Sequence, residues 1–432
     1  MTQFVGRAVP AVSRIAVAGT ARATNRIVKT FMLFCEGTMQ QTVTVKNIGL
    51  RGVAVADTKI SFIDGQKGVL IYRGYRIEEL AERSSFMETA YLLLNGRLPS
   101  SEELQGFETQ VRESRELPDY VYSCLKTLPK NADPMDVIQA AVPLLAMADP
   151  DLAEWTREAN VRMAIRLIAR LPVVTAAWHR IRNGLEPLRS DNGLSHAANF
   201  LWLLKGEKPD EETAHDLDVC LILHGDHTFN ASTFACREVT STRAHMYAAI
   251  TAGIGALSGS LHGGANARVM AMLQELDSVD DLARWVKDRI DRGERIMGMG
   301  HAVYRTMDPR ARYLKDMASR LGKSKGMEKW DRLSKLLEQI AEEEFDRRGK
   351  NEIRPNVDFY SAPVYHMMEI PRDLFTPIFA MSRIAGWCSH VIEEKFAEAQ
   401  DKPMLYRPQA EYVGQYCGLM GCEYAPLEGR AG

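Results

Sequence analysis

The chain has 432 residues, of which 46% are hydrophobic and 25% are charged, and its formal net charge is −2 at pH 7. This composition is typical of globular proteins with a sizeable core, and the length allows one large and one smaller domain, or three modest ones. A net charge so close to zero removes the electrostatic argument for nucleic-acid binding, so we expect no nucleic-acid partner.

The amino terminus has an unusual composition. Residues 1–35 contain no acidic residue and carry four arginines and one lysine among Ala, Val, Ser and Thr, a composition that resembles an organelle transit peptide. An extension outside the fold, or a true translation start near Met32 or Met39, explains the same composition. We prefer this second interpretation and expect residues 1–45 to be an N-terminal extension, disordered or outside the fold.

The seven cysteines are odd in number, scattered, and never spaced as C-x-x-C. This pattern favours reduced thiols over a disulfide framework and is typical of a cytoplasmic protein.

Residues 50–80 alternate β-branched and polar residues around Gly and Asp turns, which predicts two or three short antiparallel strands. The rest of the chain is predicted to be helical. The stretch SSFMETAYLLLNGRLPS ends on Gly96 and Pro99, the usual stop for a helix, and residues 327–349 carry one apolar stripe, which predicts a surface helix. The predicted fold class is therefore mainly α, with a short antiparallel β element near the N-terminus.

Residues 246–267 resemble a membrane span because they contain no Asp, Glu, Lys or Arg. Their polar residues and glycines are unsuited to hydrocarbon. We expect a buried helix that runs into a polar turn, and no membrane-spanning segment.

Four polar stretches interrupt the apolar helical sequence. They are ILHGDHTFNAS (222–232), GSLHGGANARV (259–269), ERIMGMGHAVYRTMDPRARY (294–313) and NVDFYSAPVY (356–365). Each contains histidine, arginine or aspartate, and each has an ordinary structural interpretation beside a functional one.

His224 and His227 are one helical turn apart. Histidines in such positions bond carbonyl groups at a helix end, or they chelate a metal, here together with Asp226. A metal-dependent hydrolase built on these residues is one hypothesis. No third ligand follows at a recognisable spacing, so we expect no metal.

The other stretches have equally ordinary interpretations. His262 would close a helix at Gly263, Asp358 would cap a helix that begins near Ser361, and Arg310 would be one of many solvated arginines. The GMGHAV segment lacks the third glycine of a dinucleotide-binding loop, so it predicts no such cofactor.

Arg383 is harder to explain structurally. It lies in a segment that is apolar on every face, which predicts a buried helix, and a buried guanidinium without a partner is costly. The nearest acids in sequence, Asp373 and Glu393, are each ten residues away, too far to pair along one helix. An anionic ligand would serve as the partner, and so would an acid from another segment.

Together these residue types suit one chemistry. A neutral histidine donates a hydrogen bond to an oxygen on which charge develops. A carboxylate in an apolar setting has a raised pKa, which suits a general base acting on a weak carbon acid. Arginines bind carboxylates with two parallel bonds. Enolisation of one substrate and attack on a carboxylated ketone require these groups.

Six motifs, taken in order, resemble those of the citrate synthase family, from about residue 47 to about residue 415. They are HGDHTFNAS, LHGGANARV, GMGHAVYRTMDPRAR, NVDFYSAPV, FAMSRIAGW and YRPQAEYVG. The resemblance implies a mainly helical homodimer. Each subunit would have a large domain (46–263 and 371–432) and a small domain (264–370) that closes over the substrates.

The resemblance also implies catalytic roles. His262 would bond the thioester oxygen of acetyl-CoA and stabilise its enol, Asp358 would remove the methyl proton, and His301 would polarise the ketone of oxaloacetate. The citryl-CoA formed would then be hydrolysed to citrate and CoA. The enzyme would be an acyltransferase that needs no cofactor besides its substrates.

Binding roles follow by the same resemblance. The oxaloacetate carboxylates would be held by His227, Arg310, Arg383 and Arg407. In the family, the last of these reaches across from the partner subunit. The CoA chain and phosphates would lie against Gly298, Gly300 and Arg305.

The residues of the HGDHTFNAS and GMGHAVYRTMDPRAR motifs resemble those of the short bacterial and archaeal branch of the family. We therefore expect a cytoplasmic enzyme despite the transit-like N-terminus. One departure is Ser260, where the family usually has proline. A 2-methylcitrate synthase, which uses propionyl-CoA, shares the whole catalytic set. One methylene changes selectivity by only about 1–3 kcal/mol, so this alternative stays open. A non-catalytic helical scaffold is a further hypothesis, but it leaves Arg383 and the uncharged setting of Asp358 unexplained.

Overall fold

The computed structural model describes residues 49–50, 52–416 and 418–429. The helices and strands that the structure describes lie in one unit, Ala56–Gly432. The expected extension, residues 1–45, lies outside the described residues. The division of the fold into a large domain and a small domain stays a prediction.

The described part of the chain contains a three-stranded sheet and sixteen α-helices. The strands are β1 (Ser61–Asp64), β2 (Val69–Tyr72) and β3 (Tyr75–Arg76). The helices are α1 (Ile77–Arg83), α2 (Phe86–Asn95), α3 (Ser101–Glu113), α4 (Asp119–Thr127), α5 (Pro134–Ala146), α6 (Arg157–Arg182), α7 (His196–Lys205), α8 (Glu211–His224), α9 (Ala231–Ser241), α10 (Met246–Ser258), α11 (Ala265–Leu276), α12 (Leu282–Asp291), α13 (Ala311–Lys325), α14 (Glu328–Arg347), α15 (Val357–Met367) and α16 (Phe375–Lys395). Short 3₁₀ turns lie at Arg372–Leu374 and Leu427–Gly429. The predicted fold class, mainly α with a short antiparallel β element near the start, is confirmed.

The sheet is antiparallel in the order β1-β2-β3, and Ser61 lies opposite Tyr72. The next helices begin and end where local signals place them. The Ser85 hydroxyl accepts the N–H of Glu88 at the start of α2, and Gly96 ends that helix at φ 79°, a left-handed conformation that glycine adopts without strain.

Helix α16 lies at the centre of the core. Its residues are buried on every face over most of its length, and it packs against α2, α6, α8, α9 and α10. The predicted all-round burial is therefore confirmed, and it places Arg383 inside the protein. By contrast, α14 buries one stripe that includes Leu337 and Ala341, as predicted for a surface helix.

The segment that resembles a membrane span forms α10 and the turn after it. Within the described residues, no helix has the length and apolar character needed to cross a membrane. Cys124, Cys220, Cys236 and Cys388 are free thiols, as expected. The expectation of reduced thiols is wrong for Cys422, which is disulfide-bonded.

Candidate active site

A cavity of about 550 Å³ brings most of the candidate residues together. Its lining includes His227, His262, Gly298, Gly300, His301, Arg310, Asp358 and Arg383. These residues come from four separate stretches of sequence and from α16. Arg305 and Arg407 are not among the lining residues, and both are exposed.

Two backbone segments are tied together to form one wall of the cavity. Gly298 and Gly300 have φ values of 79° and 84°, which glycine tolerates best. The Asn356 N–H donates to the Gly298 carbonyl (2.9 Å), and the Asn356 Nδ2 donates to the Gly300 carbonyl (2.9 Å). A Cβ on Gly298 would lie 2.8 Å from the Phe359 Cβ. This close approach places His301 and Asp358 in the same wall.

Asp358 lies in the first turn of α15, but it does not cap the helix. The cap is Asn356, whose Oδ1 accepts the Asp358 N–H at 3.0 Å. The ordinary interpretation of Asp358 as a cap near Ser361 is therefore wrong, because α15 begins at Val357. Burial raises the pKa of the Asp358 carboxyl to about 6, against the opposing influence of the Arg310 guanidinium.

His262 has a defined tautomer. The Ser232 N–H donates to its Nε2 at 3.2 Å, the Ser232 hydroxyl lies 2.8 Å from the same atom, and the Trp387 indole N–H donates to that hydroxyl. Because Nε2 accepts a hydrogen bond, the neutral ring carries its proton on Nδ1. Burial lowers the pKa of His262 to about 4, so the ring is neutral near pH 7.

His301 has the opposite tautomer. Its Nδ1 accepts the N–H groups of Val303 (2.9 Å) and Tyr304 (3.3 Å), so Nε2 holds the proton and is available as a donor. Burial lowers the pKa of His301 to about 4. Its ring lies 5.3 Å from that of His227, whose Nε2 is 3.3 Å from the Tyr304 hydroxyl.

Arg310 is buried, so its interpretation as a solvated arginine is wrong. Only 2% of the residue is exposed. Its Nε and Nη2 donate to the two carboxylate oxygens of Asp308 at 2.9 and 2.6 Å. This bidentate pair fixes the guanidinium beside the cavity.

Arg383 is 1% exposed and differs from Arg310 in its partners. Its Nε donates to the His224 carbonyl at 2.8 Å, and its guanidinium lies 4.6 Å from the centre of the Phe379 ring. Among the described residues, no carboxylate lies within ion-pair distance of it. Burial lowers its pKa to about 10, although the Asp226 carboxylate opposes this. A buried cation at a cavity wall without an acid partner favours an anionic ligand.

His224 does not line the cavity. Its Nδ1 lies 2.8 Å from the carbonyl of Cys220, four residues earlier on α8, which is the ordinary interpretation of a histidine at a helix end. Across residues 49–50, 52–416 and 418–429, no group of three or more His, Cys, Asp or Glu side chains is arranged to hold a metal ion.

Sequence reasoning missed several residues of the site. Arg268 and Arg295 line the cavity beside the expected groups. Ser232 and Asn356 lie within the quoted polar stretches, but their contacts with His262 and the Gly298–Gly300 turn are set by folding. Arg268 lies in the same stretch as His262, and its charge in this otherwise uncharged stretch was the available signal.

The raised pKa of Asp358 predicts the acid limb of the pH profile. A general base works when ionised, and Asp358 is ionised above its pKa of about 6. We expect kcat/KM to fall about tenfold per pH unit below that value. The neutral forms of His262 and His301 persist down to about pH 4, so they leave this limb unchanged. Steady-state values of kcat/KM between about pH 5 and pH 8 would measure this acid limb. A flat profile would contradict the role of Asp358 as the general base.

The fold and this cavity define a mainly helical protein with histidines, one aspartate and two buried arginines around one cavity. The family model of the citrate synthase C-terminal domain matches residues 49–409. The chain is 45% identical over 372 residues to citrate synthase of Haloferax volcanii, covering 85% of this chain and 95% of that protein. It is 41% identical over 366 residues to 2-methylcitrate synthase of Mycobacterium tuberculosis, covering 85% and 90%.

Solved structures agree with these relatives. The crystal structure of citrate synthase from Pyrobaculum aerophilum is 35% identical, with a TM-score of 0.82, and the match covers 93% of this chain and all of that one. A ternary complex of the Thermoplasma acidophilum citrate synthase with carboxymethyl coenzyme A and oxaloacetate is 33% identical, with a TM-score of 0.78, covering 88% and 98%. The chain belongs to the citrate synthase family and is an acyltransferase-type enzyme, as the sequence motifs predicted.

Proposed function

We propose that the cavity condenses acetyl-CoA with oxaloacetate, giving citrate and CoA, the reaction with which the tricarboxylic acid cycle begins. The observation that carries this proposal is the combination of groups around one cavity. Two neutral histidines with defined tautomers and one carboxylate of raised pKa lie beside two buried guanidiniums.

The proposed reaction begins with enolisation. The Asp358 carboxylate removes a proton from the methyl group of acetyl-CoA, while the Nδ1–H of His262 donates to the thioester oxygen and stabilises the enol that forms. Neutral histidine suits this role because its N–H donates to the oxygen on which charge develops.

Condensation and hydrolysis follow. The Nε2–H of His301 donates to the ketone oxygen of oxaloacetate and makes the ketone carbon more electrophilic. The enol carbon attacks it, a carbon–carbon bond forms, and the ketone oxygen takes the Nε2 proton of His301 to give citryl-CoA. The proton that Asp358 removed from the methyl group balances the one that His301 gives up. Water then cleaves the thioester bond, releasing citrate and CoA and driving the reaction forward.

We propose that His227, Arg310 and Arg383 bind the two carboxylates of oxaloacetate. The solved complex of the Thermoplasma acidophilum enzyme contains oxaloacetate, which supports this substrate. Arg383 supports it most directly, because it has no acid partner among the described residues and its charge is buried.

We also propose a homodimer in which Arg407 completes the neighbouring active site. Arg407 is exposed and does not line its own cavity. It lies in a C-terminal segment that leaves large apolar side chains exposed: Met404, Leu405, Tyr412, Val413, Tyr416, Leu419, Met420, Tyr424 and Leu427. A run of exposed apolar side chains of this size supports packing on another protein surface, here a second copy of the chain.

The remaining parts of the proposal concern CoA and location. The CoA chain would lie along the Gly298–Gly300 turn, with Arg305, exposed five residues further on, near its phosphates. The small domain (264–370), which carries His301 and Asp358, would close on the large one. We propose no metal or other cofactor and a cytoplasmic location, which the archaeal and bacterial relatives support.

Release of free CoA thiol with oxaloacetate tests this function. We expect the purified protein to release thiol with both acetyl-CoA and oxaloacetate present, and none when either is omitted. No release from folded protein would overturn the proposal.

A second candidate is 2-methylcitrate synthesis from propionyl-CoA, favoured by the 41% identity to the Mycobacterium tuberculosis enzyme. The same assay with propionyl-CoA decides between the two. We expect a higher kcat/KM with acetyl-CoA, and a higher value with propionyl-CoA would transfer the assignment to the second candidate.

A further inference from the structure

The β1–β2 hairpin contacts two separate walls of the active site. On one side it holds the segment around His227. The Tyr72 hydroxyl donates to the Asp226 carbonyl (2.8 Å) and accepts the Asp226 N–H (3.0 Å). The Ser61 hydroxyl bonds the Asp226 carboxylate and accepts the Thr228 N–H at 3.1 Å.

Thr228 has a strained backbone that these hydrogen bonds help to stabilise. Its φ is 48°, a left-handed backbone that a β-branched residue rarely adopts and that costs free energy. Its N–H is held by the Ser61 hydroxyl and by Asp226 Oδ2. The hairpin therefore helps to maintain a strained conformation beside His227.

On its other side, the hairpin turn, Asp64–Gly68, contacts the loop that follows His301. The Gly65 carbonyl accepts the Arg305 N–H at 2.9 Å. A Cβ on Gly65 would lie 2.3 Å from the Val303 carbonyl oxygen and 2.9 Å from its carbonyl carbon. These are backbone atoms, so no rotation of a side chain relieves the overlap, and only glycine fits without moving the loop.

The contact between the hairpin turn and Val303 affects His301, because Val303 is hydrogen-bonded to the His301 ring. The Val303 N–H donates to His301 Nδ1 at 2.9 Å, and this bond keeps Nδ1 unprotonated and leaves the proton on Nε2. The Val303 carbonyl shares its peptide with the Tyr304 N–H, which donates to the same Nδ1 at 3.3 Å, so a displacement of this peptide disturbs the hydrogen bonds that select the tautomer. The hairpin turn and the imidazole are thus linked through one peptide.

We infer that Gly65 is a positioning residue for His301: by letting the hairpin turn lie directly against the Val303 backbone, it holds the loop that selects the Nε2–H tautomer. The inference rests on the proposed function, since the Nε2–H is the group that would polarise the ketone. Gly65 itself touches no substrate.

The variant Gly65→Ala tests this inference, with Gly106→Ala as the matched control. Gly106 lies in α3, and a Cβ there meets nothing within 4 Å. We expect Gly65→Ala to lower kcat about ten- to a hundredfold. The KM for oxaloacetate should change less than about threefold, because Arg310 and Arg383 are held by Asp308 and the His224 carbonyl. The control should keep the kcat of the unmodified protein.

A direct readout separates positioning from general damage. Nitrogen-15 and proton correlation spectra of the histidine rings in the ligand-free protein should show His301 protonated at Nε2 in the unmodified protein and in Gly106→Ala, and mixed tautomers in Gly65→Ala. A lower kcat with an unchanged tautomer would overturn the inference, as would a kcat within about twofold of normal.

If Gly65→Ala does not fold, a substitution of Asp64 can weaken the hydrogen bonds within the turn instead. Asp64 Oδ1 accepts the N–H groups of Gln66 (3.0 Å) and Lys67 (3.1 Å). We expect Asp64→Ala to shift the tautomer of His301, and Asp64→Asn, which keeps an accepting oxygen, to restore it; equal spectra for the two would overturn the inference. A tautomer shift in the variant, together with no thiol release from the folded unmodified protein, would uphold the inference and count against the proposed function.

Discussion

Replacement of Asp358 by asparagine is expected to lower kcat by about 10²–10⁴-fold, the range that positioned acid–base groups contribute. The amide keeps the shape of the carboxyl group but does not accept the methyl proton. The Asn356 cap of α15 is unaffected, because it uses the backbone N–H of residue 358. Folding should therefore be normal. Thiol release under saturating substrates gives the kcat.

The matched control is Asp280→Asn, which makes the same chemical change at an exposed aspartate outside the cavity. It should turn over normally. Stabilisation of the Asp358→Asn protein by oxaloacetate, measured as a thermal shift, should remain, because the proposed carboxylate-binding side chains are intact. Turnover of that variant near the normal rate would remove Asp358 from the proposed mechanism.

Replacement of Arg383 by methionine is expected to raise the KM for oxaloacetate about ten- to a hundredfold. The loss is that of one charge-assisted hydrogen-bonding partner, worth about 1.5–3 kcal/mol, and about 1.4 kcal/mol corresponds to a factor of ten. The change in kcat should be smaller than the change in KM, because the carboxylate that Arg383 is proposed to bind takes no part in bond formation.

The stability of the same variant gives an independent test. Arg383 is a buried cation with no acid within ion-pair distance among the described residues, and an apolar side chain of similar volume avoids the cost of burying it. We therefore expect the Tm of the ligand-free variant not to fall, and the thermal shift with oxaloacetate to shrink. The KM of Arg383→Lys for oxaloacetate should lie between those of the unmodified protein and Arg383→Met, because lysine keeps the charge but lacks the planar guanidinium. A lower Tm with an unchanged KM would make Arg383 a structural residue.

Local signals predicted the elements of the fold well. The β-branched alternation of residues 50–80 became three antiparallel strands, and α2 ends at Gly96 as its stop signal indicated. These features depend on backbone propensities and caps within a few residues of each other. They are therefore readable from a short window of sequence.

The start of α15 shows where a short window fails. Asp358 and Asn356 are both good capping residues, and the sequence permits either. The structure uses Asn356, whose side-chain amide also bonds the Gly300 carbonyl 56 positions earlier in the chain. This long-range contact leaves the Asp358 carboxyl free to face the cavity, and no local pattern contains it.

Arg310 and Arg383 also show the difference between what a short window of sequence contains and what folding decides. Their residue type was visible in the sequence, and so was the apolar setting of Arg383. Asp308 is two residues from Arg310, so the sequence also contained a local signal for their pairing. Among the described residues, the lack of a carboxylate within ion-pair distance of Arg383 depends on which segments pack around α16, and only the folded chain shows it.

The sequence by itself determined the family, the fold class, and the order and identity of most of the candidate groups that line the cavity, because these depend on residue types and on spacings along the chain. The tertiary structure decided the properties of those groups. The tautomer of His262 is set by an N–H thirty residues away, and the pKa of Asp358 is set by burial. The tautomer of His301 depends on a loop that lies against Gly65. Hydrogen bonding and desolvation act through space at distances of a few ångströms, so they appear only when distant segments have come together.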